Sequence, residues 1–513
     1  MPRPVLAPLV ALALLWLPAM VRADLTADLV WQNWQQIGAA SGQTFAPGEI
    51  RRDGPVLTLS DVAIAASGPD IRLTGVIPWI ELRENGDGSV SVAMPDRYDL
   101  FMERAPQAGP SGSMTLMVEQ HAVSLRAHGT PEALVHDFTS ERFSVHGRDL
   151  VVDGEPGAGH WSINVEGLNH TYDVKPGAMM ALTLTSAARS ADISMSAPES
   201  TDDKASFEAS LRLTGLAGAT NAQFSPDAPD IGETTFEYLA AGGNADVSLT
   251  FDTGSIRASA TDFEGQNTVL SGTSDGGHLR ASLDTHRLTY DIGTRGARMR
   301  VAGMRSDALG GFPVPEMVLA LDEAGMSLRY PMKQAEEAQD FALGLRMRGV
   351  DLPEALWSML DPEAMLPRDP ATVILDAVGK LRPLVDPLDP LGAPLRGPPV
   401  ELHALALREV QLAIAGAELT GKGAMTFDHS QPPMLFGLAP MPQGRVELSL
   451  TGATTLLGKL MELGLVDTSL AMGFGIATAM FARPGEGPDS FVSEIESRPD
   501  GLYANGQPLP FGP

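Results

Sequence analysis

The chain has 513 residues, with 64 acidic and 36 basic side chains, a formal net charge of −28 at pH 7 and no cysteine. A charge of this sign repels nucleic acid and anionic lipid headgroups, so a nucleic-acid partner is not expected. The absence of cysteine excludes disulfides, thiolate metal ligands and cysteine nucleophiles. A hydrophobic fraction of 43% with 19% charged residues is typical of a globular protein.

Residues 1–23 have the features of a secretory signal peptide. Arg3 supplies a positive charge, residues 5–17 are apolar apart from one proline, and residues 21–23 place small side chains at a cleavage site. The apolar run is shorter than the ~20 residues that a spanning helix needs. We therefore expect cleavage before Asp24, export to the periplasm, and no transmembrane segment in the mature chain.

The first element of the mature chain is predicted to be a helix over residues 24–40. Its apolar residues recur at helical spacing, and Trp31 and Trp34 share a face because they are three residues apart. A tryptophan pair can form a ligand platform, but packing of a helix onto a sheet is the more usual role. We therefore predict that both side chains anchor this helix.

From residue 56 onward, alternation of apolar and polar residues predicts β-strands joined by short turns. Residues 79–94 are predicted to form a hairpin with Asn-Gly-Asp-Gly at its tip, because these residues supply the positive φ of tight turns. The tip lacks the acidic pattern of an EF-hand, so calcium binding is not expected. Four histidines match no metal-ligand spacing, and we expect them to be scattered and partly exposed: His121, His128, His136 and His146.

Residues 246–350 carry the strongest strand pattern. Alternating segments separated by Gly and Asp predict an antiparallel meander. Six in-phase residues are predicted to lie on one apolar surface and, if that surface is an open groove, to contact a ligand: Phe251, Leu283, Tyr290, Leu328, Tyr330 and Leu345. Methionines on apolar strand faces suit a surface for variable apolar partners, although core filling is the preferred interpretation: Met299, Met317, Met326 and Met347.

A short helix with Trp357 as its anchor is predicted at residues 351–362. Prolines then mark residues 383–399 as an extended loop. This loop separates a β region, residues 24–382, from a C-terminal part, residues 400–513. The two parts are expected to continue one sheet.

The C-terminal part is predicted to contain β-hairpins and two apolar helices. These helices cover residues 452–465 and 469–482. The second is apolar nearly all round, which predicts a buried helix rather than a spanning one, with Ser469 as its N-cap. A closing hairpin is predicted with its turn at Asn505-Gly506.

The sequence contains one pattern that is shared with hydrolases. Gly272-Thr-Ser-Asp-Gly276 fits G-x-S-x-G, but a nucleophile elbow needs a helix after the serine, and here another strand is predicted. A hairpin turn accounts for these residues, so Ser274 is not expected to be catalytic. Gly473-Phe-Gly475 lacks the third glycine of a nucleotide loop. We predict no enzymatic activity, no cofactor and no metal.

Several segments resemble those of a family of exported alphaproteobacterial proteins known as a domain of unknown function. They are Val30-Trp-Gln-Asn-Trp-Gln, Glu84-Asn-Gly-Asp-Gly-Ser-Val, Leu352-Pro-Glu-Ala-Leu-Trp-Ser-Met-Leu-Asp-Pro, Leu366-Pro-Arg-Asp-Pro-Ala and Gly501-Leu-Tyr-Ala-Asn-Gly. The resemblance covers essentially the whole mature chain and implies no particular chemistry.

A weaker resemblance concerns residues 400–465. Hairpins followed by Gly444-Arg-Val-Glu-Leu-Ser-Leu-Thr-Gly are similar to the repeats of AsmA-type envelope proteins. That resemblance implies a long curved sheet with an apolar groove and a link to lipid movement or outer-membrane upkeep. The chain lacks the uncleaved membrane anchor of those proteins, which argues against a bridge across the envelope.

Together these patterns predict a mainly β protein with long curved antiparallel meander sheets and a few helices packed near the N- and C-termini. The expected function is non-catalytic, namely an exported envelope protein that binds a lipid-like ligand or an envelope protein partner. Two alternatives remain open. A structural interaction protein of the periplasm would fill its concave face with its own helices, and a hydrolase would show a polar cluster at one end of the sheet.

Overall fold

A computed structural model describes most of the chain. The described residues are 25–40, 42–68, 70–104, 109, 111–130, 133–175, 177–197, 205–225, 235–306, 312–313, 316–386, 399–431 and 440–509. The predicted signal peptide and most of the predicted proline-rich loop lie outside them. Within them, no helix combines the length and the apolar character that crossing a membrane requires.

Strands dominate the first half of the described chain, as the alternation predicts. The helices there are α1 Ala27–Ala40 and α2 Thr235–Ala240. The strands are β1 Gln43–Ala46, β2 Glu49–Asp53, β3 Val56–Ser67, β4 Ile71–Glu84, β5 Val90–Ala93, β6 Arg97–Arg104, β7 Gly112–His121, β8 Ser124–Thr130, β9 Ala133–Val152, β10 Glu155–Pro156, β11 His160–Lys175, β12 Met180–Ala197, β13 Ser206–Phe224 and β14 Asn244–Phe251.

The second half has the same character, with two consecutive helices before its last strands. Its helices are α3 Glu354–Leu360, α4 Ala453–Glu462 and α5 Thr468–Phe481. The strands are β15 Thr253–Thr261, β16 Asn267–Ser274, β17 Gly277–Leu283, β18 Arg287–Ala302, β19 Arg305–Ser306, β20 Phe312–Pro313, β21 Met317–Pro331, β22 Gln339–Val350, β23 Ala371–Pro383, β24 Val400–Ile414, β25 Ala417–Phe427, β26 Pro442–Thr451, β27 Arg483–Pro484, β28 Ser490–Arg498, β29 Gly501–Ala504 and β30 Gln507–Pro508.

All of these strands except the pair β19–β20 belong to one antiparallel sheet. β1 and β2 both pair with β3 at one edge, and the order passes through β9, β11, β12 and β13. β14 and β15 follow each other along β13, and β17 and β16 lie beyond them. The order then runs β18–β21–β22–β23–β24–β25–β26–β28–β29–β30. The predicted mainly β class and antiparallel meander are confirmed, and β23 pairs with β24 across the predicted proline-rich loop.

A line of bulges interrupts the long strands in the middle of this sheet. Three of its glycines have φ of 60°, 55° and 62°: Gly215, Gly296 and Gly349. A Cβ at each position would collide with a carboxylate that lies beside it across the sheet. These carboxylates belong to Asp252, Asp275 and Asp322 respectively. Glycine therefore serves two needs at these positions, the left-handed backbone and the close approach of the carboxylate.

Each bulge shifts the side-chain alternation by one residue. Phe251 before the bulge and Gly254 after it lie on the same side of the sheet, since a Cβ on Gly254 would lie 3.2 Å from the Phe251 ring and 3.3 Å from the Leu213 side chain. The apolar side therefore continues across the bulge line although the parity of its residue numbers changes.

The largest core lies where α1 packs on the first strands of the sheet. Trp31 is 5% exposed and packs with buried side chains that include Leu59, Val62 and Leu82. The start of α1 is held by the β4–β5 hairpin, because the Ala27 N–H donates to Glu84 Oε1 at 3.0 Å. The predicted role of Trp31 as a helix anchor is confirmed.

A second, smaller core joins α3 and α4, which contact β21 and β25 respectively. Trp357, Leu366 and Ala415 are buried there, and partly buried side chains from α4 and from the residues flanking the two helices pack against them: Leu352, Leu456, Leu460 and Leu463. The Lys459 ammonium of α4 also donates to the Met365 carbonyl at 2.7 Å. The predicted anchoring role of Trp357 is confirmed.

Two expectations about the last helix are wrong. The predicted buried helix is α5, and none of its residues is buried, because only one stripe of it contacts the sheet. The predicted cap Ser469 is not the N-cap either. Asp467 takes that position and accepts from the Leu470 N–H, and its carboxylate also accepts from the Ser469 hydroxyl.

The two cores allow a direct test of the Trp357 anchor. Trp357→Ala should lower the free energy of unfolding by about 3–5 kcal/mol, because a large buried ring is removed. Met359→Ala on the same helix is the matched control, since Met359 is 52% exposed and its change should stay within about 0.5 kcal/mol. Urea titrations followed by circular dichroism measure both. Equal midpoints for the two variants would contradict the anchoring role.

Candidate ligand-binding face

The side of the sheet against which α1 packs is called the inner face here. Residues paired directly across antiparallel strands point to the same side, so the strand registers trace this face from strand to strand. One such row runs from the core under α1 across the sheet: His136, Tyr172, Leu184, Thr220, Val247, Ala281, Tyr290, Leu328, Leu343, Ala377, Leu407, Gly423, Val446 and Ile495.

All six residues of the predicted apolar surface lie on the inner face. Tyr290 is paired with Leu328, and both belong to the row above. Leu283 and Tyr330 both pair with Leu288 of β18, one from each neighbouring strand. Leu345 is paired with Met326 on the same side, and Phe251 lies two residues beyond Leu249 in β14. The structure brings the six together on one face, and ligand contact stays a prediction.

The inner face carries no charged side chain over the described strands β12 to β23. Its paired positions there are held by apolar residues, glycines, a few hydroxyl residues, Tyr290, Tyr330 and one amide, Gln339. The opposite side is polar and ion-paired across the same strands. His278 Nε2 and Arg280 NH1 lie 3.3 Å and 3.6 Å from Asp291 Oδ2, and Arg346 NH1 lies 3.3 Å from Glu323 Oε1. The sheet is therefore amphipathic over these strands, with one charge-free side and one ion-paired side.

In the middle of the sheet the inner face is open to solvent. Nine of its large apolar side chains are 37–47% exposed: Met195, Phe207, Val247, Ile256, Ile292, Met299, Met326, Leu343 and Leu345. The preferred interpretation of the methionines as core filling is wrong for Met299 and Met326, because their side chains are 42% and 43% exposed. We call this uncovered region the open inner face.

Beside α1 the same face forms an apolar pocket of about 570 Å³. Its walls come from α1 and from strands β1, β3, β4, β6, β7, β8, β9 and β11. The lining side chains include Trp34, Ile37, Phe45, Ile64, Ile77, Ile80, Met94, Tyr98, Leu125, Phe138, Phe143, Leu168, His170 and Tyr172. The volume falls within the ~300–1,000 Å³ of small-molecule sites. We call it the α1 pocket.

The polar groups at the α1 pocket are few, and two of them have partners. Gln120 donates from Nε2 to the Pro95 carbonyl at 2.9 Å. His170 Nδ1 lies 2.9 Å from the Ser186 hydroxyl. A mainly apolar wall of this kind suits a hydrocarbon chain rather than a polar substrate.

A buried histidine connects α1 to the strands behind the pocket. The Trp34 indole N–H donates to His136 Nε2 at 2.9 Å, and the His136 ring stacks on Tyr172 with centroids 4.4 Å apart. His136 is 0% exposed. The expectation of partly exposed histidines is therefore wrong for His136, although the side chains of His121, His128 and His146 are 70%, 43% and 34% exposed.

This cluster keeps His136 neutral. Burial lowers the pKa of His136 to about 4, and His128 acts in the same direction. The carboxylates of Asp137 and Asp173 raise the pKa but do not offset burial. Donation by Trp34 requires an unprotonated Nε2, which agrees with a lowered pKa. Burial also raises the pKa of the Tyr172 hydroxyl.

Three side chains on the β24 side of the sheet are arranged as metal ligands could be. One ligand atom each from Glu401, His403 and His429 lies within 4.8 Å of the others. Arg382 already donates to Glu401 Oε2 from both Nε and a terminal nitrogen, and His429 Nε2 lies 2.8 Å from the Leu402 carbonyl. The guanidinium would repel a divalent cation. The expectation of no metal site stays a prediction.

Ser274 is the last residue of β16, directly before the turn that leads into β17. Its hydroxyl lies 2.7 Å from the Thr294 hydroxyl and donates to the Gly276 carbonyl at 3.0 Å. Strand β17 follows it rather than a helix, so the geometry of a nucleophile elbow is absent at this described position. The lack of enzymatic activity remains a prediction.

The C-terminal half of the chain has a known counterpart among protein families. Residues 251–496 match the family described as "Uncharacterized protein conserved in bacteria (DUF2125)". No curated protein and no solved structure matches the chain. The DUF2125 match includes all six predicted surface residues, most of the open inner face, and α3 to α5, whereas the α1 pocket lies before it. The predicted resemblance is thus supported for this half of the chain as a bacterial domain of unknown function.

Acidification tests the buried histidine. An unfolded histidine has a pKa of about 6.5, so between that value and about 4 the unfolded state binds more protons. The stabilisation from neutral His136 is complete above pH ~6.5 and is lost as the pH falls, by about 3 kcal/mol in total.

His136→Gln keeps an acceptor for Trp34 and removes the titration. The variant should be less stable near neutrality, and its free energy of unfolding should fall less steeply on acidification than that of the wild type. Urea unfolding at several pH values across this window measures the difference, because the other histidines titrate in both proteins. Parallel pH slopes would contradict the neutral, buried state of His136.

Proposed function

We propose that the protein binds an apolar, lipid-like ligand along its inner face, without catalysis, after export to the periplasm. The observation that carries this proposal is the open inner face, a charge-free side of a sheet with nine large apolar side chains 37–47% exposed. Exposed contiguous apolar surface of this kind marks a ligand groove or a protein interface in soluble proteins.

A hydrocarbon chain suits the inner face better than a compact substrate. The apolar row is continuous across many strands, and each strand adds about 4.8 Å to its length. The α1 pocket closes one end of the row with apolar side chains, and α5 lies at the other end, where Phe474 and Phe491 rings pack edge to face with centroids 6.3 Å apart. A long flexible hydrocarbon chain can lie along such a row, whereas the opposite side of the sheet presents ion-paired side chains.

Sequence features outside the described residues support the cellular setting. Residues 1–23 have the character of a signal peptide. The resemblance of residues 400–465 to AsmA-type envelope proteins agrees with a role near lipid, and the domain of unknown function adds no competing chemistry.

Sequencing the N-terminus of the purified protein should give Asp24-Leu-Thr.

Carboxylate substitutions on the two sides of the sheet test the ligand-binding face. Leu345→Asp, at a position 37% exposed on the inner face, should reduce the binding of a naphthalene sulfonate dye by about tenfold or more, because a charge is placed among apolar contacts. Leu328→Asp should act in the same way.

A fatty acid or a phospholipid should displace the dye from the wild type, and mass spectrometry of the native protein should detect co-purified lipid.

The matched control is Val318→Asp in the neighbouring strand β21. Val318 is 47% exposed, but it pairs with Arg300 on the opposite side of the sheet. Its dye binding should stay at the wild-type level. If Leu345→Asp and Leu328→Asp both unfold the protein, the face is sealed in solution, and the structural interaction protein without a ligand becomes the better account. If a fatty acid fails to displace the dye, the lipid ligand is wrong.

A further inference from the structure

Helix α5 exposes apolar side chains on most of its circumference. Leu470, Met472 and Ile476 are 60%, 62% and 59% exposed, and Met480 is 37% exposed. The 14 residues of α5 include no charged side chain. Such a helix in a soluble protein is normally buried by its own core, which α5 is not.

The contacts of α5 explain why only one stripe is covered. Ala471, Phe474, Thr478 and Phe481 recur at helical spacing and are half-buried against the sheet. Phe474 packs against Phe491, and the carbonyl of Phe481 accepts from the Ser493 hydroxyl. The remaining side of α5 points away from the sheet. A Cβ added at Gly473 or Gly475 would meet nothing within 4 Å.

Two of the side-chain hydroxyls of α5 have partners within the helix or at its cap. The Thr478 hydroxyl donates to the backbone carbonyls of Phe474 and Gly475 at 2.9 and 3.1 Å, and the Ser469 hydroxyl donates to Asp467. The N-terminal turn is capped by Asp467, which accepts from the Leu470 N–H at 2.9 Å. Satisfied hydroxyls and backbone are what a hydrocarbon environment demands, whereas a helix that faces water can leave them to solvent.

The length of α5 distinguishes between the roles that an apolar helix can have. A helix of 14 residues is about 21 Å long, which is less than the ~30 Å hydrocarbon core of a bilayer. An apolar helix of this length is either buried in a core or lies at a membrane interface. Since none of the α5 residues is buried among the described residues, we infer that α5 seats the protein on the surface of a lipid bilayer.

The charge of the protein indicates which bilayer surface it is. The net charge of −28 disfavours approach to anionic headgroups. The exposed side of α5 has no cation that could offset this repulsion. A zwitterionic surface, such as one of phosphatidylcholine or phosphatidylethanolamine, is therefore the partner that fits. This inference concerns α5 alone and holds whether or not the inner face carries a ligand.

Vesicle sedimentation tests the docking of α5. The purified exported protein should co-sediment with phosphatidylcholine vesicles, and Met472→Asp/Ile476→Asp should weaken binding by at least about tenfold, because apolar insertion is lost and charge is added. Phe263→Asp is the matched control, since Phe263 is 75% exposed in the turn between β15 and β16; it should bind as the wild type does. Met472→Gln/Ile476→Gln is a milder second variant.

A site-specific label gives an independent readout. The chain contains no cysteine, so Ile476→Cys carries a single environment-sensitive fluorophore, and Phe263→Cys carries it at the control position. Phosphatidylcholine vesicles should shift the emission of the label at position 476 to the blue and leave that at position 263 unchanged. Replacing part of the lipid with phosphatidylglycerol should weaken binding at low salt, and added salt should restore it.

Several results would overturn the inference. They are absence of wild-type binding, unchanged binding of both double variants, and binding that requires phosphatidylglycerol. Unfolding of both double variants would show that α5 is covered inside the protein. A wild-type dimer that dissociates in the double variants, without any vesicle binding, would identify a second copy of the chain as the partner of α5.

Discussion

A sheet with one charge-free side must have that side removed from water, by its own chain or by another molecule. This requirement organises the whole protein. Among the described residues, α1 covers the first strands, and α3, α4 and α5 pack further along the sheet. The long strands β12 to β22 keep apolar residues in phase across many registers, and nine of their large apolar side chains are 37–47% exposed. The proposed ligand would cover this open inner face, whereas the proposed bilayer contact concerns α5 alone.

Period-two alternation was enough to predict the strands and the common face of Phe251, Leu283, Tyr290, Leu328, Tyr330 and Leu345. In a meander, each turn sets the register of the next strand, so residues that are in phase locally stay in phase across neighbours. The bulges at Gly215, Gly296 and Gly349 were not predictable in this way. They depend on carboxylates that meet the glycines only after the strands have paired.

Neither the α1 pocket nor the exposure of α5 could be predicted from the sequence, and the reasons differ. The pocket combines Trp34 with Phe138 and Tyr172, which are distant in sequence and meet only through the strand order. His136 shows the same limit, because its burial follows from Trp34 and Tyr172 rather than from its neighbours in β9. Apolar composition predicted burial for α5, but composition records only the preference for a nonpolar environment and not whether the protein itself provides it.

The two edges of the sheet bear on how such a protein avoids self-association. An unpaired strand is a template for another chain, and an exposed apolar face beside it would favour stacked aggregates. Here the first edge carries β2, whose residues Glu49, Arg51, Arg52 and Asp53 are charged and exposed, and the last edge ends in β29 and β30, of four and two residues. Charge and shortness at the rims limit growth of the sheet by strand addition. The edges of the sheet therefore disfavour aggregation by strand addition while the open inner face stays available to a ligand.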